Sequence, residues 1–153
     1  MGLDLSLYAV PAANDINAIE SDNWVELAYG RKTWFIWYYF KNLKSTVVTK
    51  DDQILIVSKE AWKSFIEILN QNRKRVSDYV ACKEKEEEEE VTFTEARIQD
   101  MAFQEWYSET FDDTPTLGYD WDARAMLRWL DADSEVSKYL DDPSYVLLLG
   151  AWY

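Results

Sequence analysis

Tyr145-Val146-Leu147-Leu148-Leu149-Gly150-Ala151-Trp152-Tyr153 is an unbroken apolar run, and the rest of the chain is read from it. It is too short for a membrane helix, which needs about 20 such residues. It suits a strand covered on both faces. Far upstream, Leu3, Leu5 and Leu7 alternate with Asp4, Ser6 and Tyr8. That period of two places the leucines on one face of a strand over residues 2–10. Between these two, Thr46-Val47-Val48-Thr49 and Gln53-Ile54-Leu55-Ile56-Val57 flank Lys50-Asp51-Asp52 and read as a β-hairpin. The intervening segments carry helical spacing. The expected fold is therefore α+β: a small mixed or antiparallel sheet built from an N-terminal strand, a central hairpin and a C-terminal strand, packed with four to five helices.

Pro11, Asn14, Asp15 and Asn23 mark a loop, with a helical turn expected near Ile16 to Ile19. From Arg31 to Leu43 the run Trp34, Phe35, Ile36, Trp37, Tyr38, Tyr39, Phe40 is aromatic nearly all the way round, so it must be buried on several sides or partly kept for a partner. Ser58 can cap a long helix whose apolar residues Trp62, Phe65, Ile66, Leu69, Val76 and Val80 recur at helical intervals. That helix runs into Glu84, Lys85 and the five glutamates Glu86 to Glu90. Crowded like charges favour a solvated, mobile connection, expected at about 84–91. Thr92 with Glu95 forms a capping box for the next helix, with Ile98, Met101, Ala102 and Trp106 as its inner face and an end near Asp112 to Pro115. Asp120 starts a short helix that buries Ala123, Met126, Leu127 and Leu130 and leaves Arg124 and Arg128 outside. Asp133 caps a further turn reaching Leu140. One domain is expected for 153 residues, a length at which about 70% of the unfolded chain's surface is buried.

Charge is distributed unevenly. From Glu84 onward there are 19 Asp and Glu against 5 Lys and Arg, a net of −14, whereas residues 1–83 carry a net of +1. Self-repulsion on that scale is useful where solubility or a cationic partner demands it. The 24 aromatic residues supply ample material for a core, so disorder over the whole length is not expected. The segment Met1-Gly2-Leu3-Asp4 lacks the basic flank and apolar run of a secretory signal, and one cysteine, Cys82, cannot form an internal disulfide. A reducing cytoplasm is the expected compartment. Gly2 with Ser6 fits the myristoylation pattern, but the strand alternation explains the same residues.

Much catalytic chemistry is missing. There is no histidine, which removes the commonest general base near neutral pH and the commonest metal ligand. Cys82 has Lys83 and Lys85 beside it but no histidine to act as its base, so it reads as a buried structural thiol. Gly2, Gly30, Gly118 and Gly150 lie too far apart for a phosphate-cradling loop. Carboxylates remain, and the densest group is Asp112, Asp113, Asp120 and Asp122. As a calcium loop from Asp112 it fails, because Leu117 stands where glycine is needed and Ala123 where a bidentate glutamate is needed. Neither an enzymatic activity nor a cofactor or metal is expected.

The opening Met1-Gly2-Leu3-Asp4-Leu5-Ser6-Leu7-Tyr8 resembles the start of a group of small uncharacterised proteins common in tailed-phage genomes. Tyr29-Gly30-Arg31-Lys32, leading into the aromatic helix, and Val57-Ser58-Lys59-Glu60, leading into the amphipathic one, are similar to the same group. With the segments they introduce they cover about a third of the chain. The chain departs from the group where histidine is expected in the Arg-Lys helix, and the Glu84 to Glu90 block and the C-terminal strand look like additions. The resemblance implies a phage origin, hence the cytoplasm of an infected bacterium, and nothing about mechanism. Small acidic phage proteins are often made to occupy a host protein's active or nucleic-acid-binding surface.

The leading expectation is a non-enzymatic inhibitor that offers carboxylates to a basic groove on a host nucleic-acid-binding defence protein, such as a CRISPR effector or a restriction enzyme. A groove that accepts phosphates, one per ~1.7 Å of duplex axis, will also accept an array of carboxylates. Direct binding to nucleic acid or to a membrane is not expected. The expected contacts are Glu86, Glu87 and Glu88, then Asp112 and Asp113, then Asp131 and Asp133. Tyr119-Asp120-Trp121-Asp122 joins them as a tetrapeptide with two rings and two acids. The bland alternative is that the acids solvate outer helix faces, since residues 94–112 projected at 100° per residue show no clean acidic stripe. A different alternative is an aromatic pocket that sequesters a nucleotide immune signal, with Arg31, Lys32, Arg73, Lys74 and Arg75 for its phosphates.

Overall fold

Four strands form one antiparallel sheet in the computed structural model, which describes residues 4–12, 23–43, 54–111 and 118–152. In chain order the elements are β1 (Asp4–Pro11), β2 (Val25–Arg31), α1 (Trp34–Asn42), β3 (Ile54–Val57), α2 (Lys59–Gln71), α3 (Arg73–Glu87), α4 (Phe93–Thr110), α5 (Tyr119–Leu140) and β4 (Tyr145–Trp152). Sheet order is β2-β1-β4-β3, so the two strands farthest apart in sequence are the two inner ones. This is the α+β class with an N-terminal and a C-terminal strand that the sequence implies.

The register explains the patterning. Leu5, Leu7 and Ala9 stand opposite Ala151, Leu149 and Leu147, and Leu55 and Val57 continue the same face onto β3. All eight side chains are buried, and all but Ala9 join the core under the helices. The other face is covered too: Ser6, Val10 and Leu148 are buried, and Trp24 lies edge-on against Tyr8 with ring centroids 5.2 Å apart. β4 is thus apolar on both sides because both sides are buried.

The strand over Val25–Arg31 carries no such pattern and was not expected. It is an edge strand, with Val25 and Tyr29 exposed and Leu27 and Ala28 half-buried, so little of it needs to be apolar. Of the expected hairpin, Ile54–Val57 forms β3 and pairs with β4, while Thr46 to Thr49 lies outside the described residues, as does the turn near Ile16 to Ile19.

Two helices differ from the sequence reading in number. Ser58 does cap α2, its Oγ accepting from the Ala61 N–H at 3.0 Å, but the helix stops at Asn72 and α3 begins anew. The Asn72 side chain donates to the Ile68 carbonyl at 2.8 Å, and its backbone N–H turns to Leu69 instead. A side chain has taken the acceptor that the helical ladder would use. Conversely, the two short helices expected from Asp120 to Leu140 are one continuous α5.

α4 begins as expected, with the Thr92 hydroxyl accepting from the Glu95 N–H and the Glu95 carboxylate accepting from the Thr92 N–H, each at 3.1 Å. Its rotation corrects the sequence reading. Ile98, Met101 and Ala102 face outward, and the buried side is Ala96, Phe103, Trp106 and Tyr107. Phe103 stacks on Tyr79 of α3 with centroids 4.2 Å apart and an interplanar angle of 14°. Lys83 pairs with Asp100 at 2.5 Å. Three aromatic rings bury more area than two aliphatic chains, and they win the inner face.

Candidate partner-binding surface

The tetrapeptide Tyr119-Asp120-Trp121-Asp122 opens α5, and most of it is turned into the protein. Tyr119 packs edge-on against Tyr107 and Phe103. Asp120 pairs with Arg124 at 2.9 Å, and Arg124 reaches on to Glu84 at 3.3 Å. Those contacts, the hydrogen bond to Asp120 first, raise the Arg124 pKa. The Trp121 indole N–H donates to the Arg31 carbonyl at 2.8 Å, pinning α5 to the end of β2, while the ring remains 42% exposed. Asp122 is fully buried and accepts from the Tyr107 hydroxyl at 2.6 Å. It is a core group and cannot touch a partner, which corrects the sequence reading.

That correction had a signal. At 100° per residue Asp122, Met126, Trp129 and Asp133 share one stripe of α5, and the two apolar members are fully buried. Asp133 belongs to the same pattern. It does not cap a helix; it accepts from the indole N–H of buried Trp62 at 2.8 Å and is half-buried.

The glutamate block lies at a helix end. α3 continues through Glu87, the Glu89 N–H donates to the Glu86 carbonyl at 3.1 Å, and the Glu90 N–H donates to the Lys85 carbonyl at 2.8 Å. With Glu89 at φ 58 this is a Schellman turn, in which a glutamate occupies the left-handed position that favours glycine. Glu86 pairs with Lys83 at 3.1 Å. Burial works to lower the Lys83 pKa, but the carboxylates of Asp100 and Glu86 more than offset it. Below Lys83, burial pushes the Tyr79 hydroxyl up to about 12.

Apart from Glu95 and Asp142, which accept from backbone N–H groups, the remaining described carboxylates from Glu84 onward separate into two sets. Glu84, Glu86, Asp100, Asp120 and Glu135 have cationic partners within the protein. Glu87 to Glu90, Glu105, Glu109, Asp131 and Asp141 are exposed and, among the described residues, make no side-chain hydrogen bond or ion pair. Asp112 and Asp113 lie outside the described residues. Of the expected contacts, then, Glu87, Glu88 and Asp131 are exposed and form no ion pair among the described residues, and Glu86 is shared with Lys83, whereas Asp120, Asp122 and Asp133 hold the fold together.

Most aromatic residues are structural. Trp37, Trp106, Tyr107 and Trp129 are buried, and Trp34, Tyr38, Tyr39 and Tyr119 are half-buried. Arg31 ends β2 and Lys32 follows it, while Arg73, Lys74 and Arg75 open α3, so the five candidate phosphate ligands belong to two separate elements. Cys82 is a buried thiol whose pKa is raised by desolvation and then by Glu86. Among the described residues no helix is long and apolar enough to cross a membrane, and no group of histidine, cysteine and carboxylate side chains is placed to hold a metal.

Sequence reasoning missed the outward face of α4. Phe93 is 79% exposed, Ile98 61% and Met101 62%. Glu105 and Glu109 follow Ile98 on the same stripe, within about 20° of it at 100° per residue. Beside Ile98, a groove of about 420 Å³ runs between α3 and α4, lined by Asp78, Cys82, Lys85, Val91 and Glu95. No protein-family model, no curated protein and no solved structure matches the chain.

Proposed function

We propose that the protein is a non-enzymatic binding protein of phage type, which inhibits a host nucleic-acid-binding defence protein by occupying its basic surface. The supporting observation is the set of exposed carboxylates that form no ion pair among the described residues, above all Glu87 to Glu90 where α3 turns into α4. Cations of the C-terminal half are partly committed elsewhere: Arg124 and Lys138 already hold carboxylates. A cationic partner would complete the neutralisation, and its affinity would depend strongly on salt.

The test is a DNA-cleavage assay with restriction enzymes and CRISPR effectors, titrated with the protein at low and at physiological salt. Inhibition that weakens as salt rises, and that falls when Glu87, Glu88 and Glu90 are changed together to Gln, is the expected result. Those three are chosen over Asp120 and Asp122 because changing the latter pair would disturb folding. Cleavage unaffected at every salt concentration, or inhibition indifferent to the glutamates, would overturn the proposal.

A further inference from the structure

We infer that the outward face of α4 is a docking site for a cationic amphipathic helix of the partner, its apolar side laid on Ile98 and Met101 and its Lys and Arg residues set against the glutamates at both ends. This deepens the acidic-inhibitor reading and rests on it.

Three features of α4 point to this occupant. The first is apolar exposure: Ile98 and Met101 stand one turn apart, each more than 60% exposed, with the small Ala102 beside them. Single exposed apolar residues are ordinary, but adjacent ones on a helix held rigidly by its other side form a patch. That other side is fixed by the Tyr79–Phe103 stack, the Lys83–Asp100 pair and the Tyr107–Asp122 hydrogen bond, so α4 cannot rotate to hide them. The second is charge. Glu87 to Glu90 lie just before the helix, Glu95 on its first turn, and Glu105 and Glu109 farther along the same stripe. Lys85 and Arg97 also border the surface, and the carboxylates outnumber them. An apolar strip between carboxylates selects a ligand with apolar residues between cations and disfavours a purely apolar or an acidic one. The third is shape. α3 and α4 form a ridge-and-groove pair open on the Ile98 side, and such a groove accepts a third helix whose anchors recur at three and four residues.

The probe is a synthetic Leu/Lys peptide of about 18 residues, matching the ~27 Å that α4 spans at 1.5 Å per residue, with leucines on one helical face. A scrambled peptide of the same composition and an oligolysine of equal charge serve as comparisons. Binding is read by fluorescence anisotropy. The amphipathic peptide should bind at least tenfold more tightly than either comparison. Ile98→Ser with Met101→Ser should remove that advantage while leaving oligolysine binding unchanged, and unaltered far-UV circular dichroism and melting will show that the fold is intact. Glu105→Gln with Glu109→Gln should weaken the amphipathic peptide more than Asp131→Asn with Asp141→Asn, a change of equal charge elsewhere.

If all three peptides bind alike, or the Ile98 and Met101 changes do nothing, the docking site is wrong and the broader acidic reading survives. If no cationic peptide binds, both fail together. A concentration-dependent dimer in sedimentation that the Ile98 and Met101 changes dissolve would assign the face to a second copy of the chain and overturn the inference.

Discussion

Replacing Gly30 with alanine would place a methyl group 2.6 Å from Thr33 Oγ1, 3.1 Å from Trp129 Nε1 and 3.4 Å from Thr33 Cγ2. Gly30 sits on β2 opposite Leu5, on the face that α5 covers, and its missing side chain is what lets Trp129 come so close. Neither neighbour has room to withdraw. Both are fully buried, Thr33 is stiff at χ1, so turning it brings its methyl in place of its oxygen, and Trp129 is held against Trp62 with centroids 6.3 Å apart. Overpacking of this kind costs about 1–3 kcal/mol. Alanine also restricts the unfolded chain, which returns about 0.4–1 kcal/mol. The net expectation is a loss of about 1–2 kcal/mol, or about 2–8 °C in Tm for a chain of this length. Urea unfolding followed by tryptophan fluorescence should show a lower midpoint at an unchanged slope. Adding Thr33→Ala removes the shortest of these contacts and leaves that to Trp129, so the double variant should be more stable than the sum of the single changes by at least about 0.5 kcal/mol. A Gly30→Ala protein as stable as the parent would refute the close packing of Thr33 and Trp129 on Gly30, and strict additivity in the double variant would refute the part of it that Thr33 supplies.

Other perturbations test other parts. Glu89→Gly should stabilise the protein by about 0.5–1 kcal/mol, because glycine adopts the left-handed backbone of the Schellman turn without strain; a melting curve that falls instead would argue against that turn. Tyr107→Phe should destabilise by about 1.5–3 kcal/mol, since it takes a donor from the fully buried Asp122 carboxyl; a loss below about 0.5 kcal/mol in urea would show that this hydrogen bond contributes little. With a net charge of −13, Tm should rise as NaCl goes from about 0.02 M to about 0.5 M, where screening shortens from tens of ångströms to a few. Changing Glu87, Glu88 and Glu90 to Gln should flatten that rise, and an equal salt response in both proteins would place the dominant repulsion elsewhere.

What could be read in the sequence was local. Ser58 and Thr92 are caps whose partners lie three residues away, and both form as their spacing implies. The strands at β1 and β4 were legible because each carries its burial in its own pattern. What depended on contacts across the fold was not legible. For α4 the spacing of Ile98, Met101, Ala102 and Trp106 suggested an inner face of which only Trp106 is buried; the rotation that brings in Phe103 and Tyr107 is set by Tyr79 and Lys83 on another helix. The break between α2 and α3 turns on whether one asparagine bonds to the chain or to water. At the candidate surface the glutamates were visible as charge, but only the fold separates Glu87 and Glu88, which are exposed, from Asp120 and Asp122, which are tied to partners inside the protein.

Placing β1 beside β4 has a consequence for how the molecule is made. The central ladder joins two segments that have residues 12–144 between them, and loop closure over such a span is slow. On a ribosome β1 emerges early and can pair with β2, while its other edge must wait until the last helix has been synthesised and β4 follows it. Throughout that interval the nascent protein exposes an unzipped seam of leucines. Rapid translation shortens the exposure, and a stall after α5 prolongs it and invites pairing with a neighbouring chain.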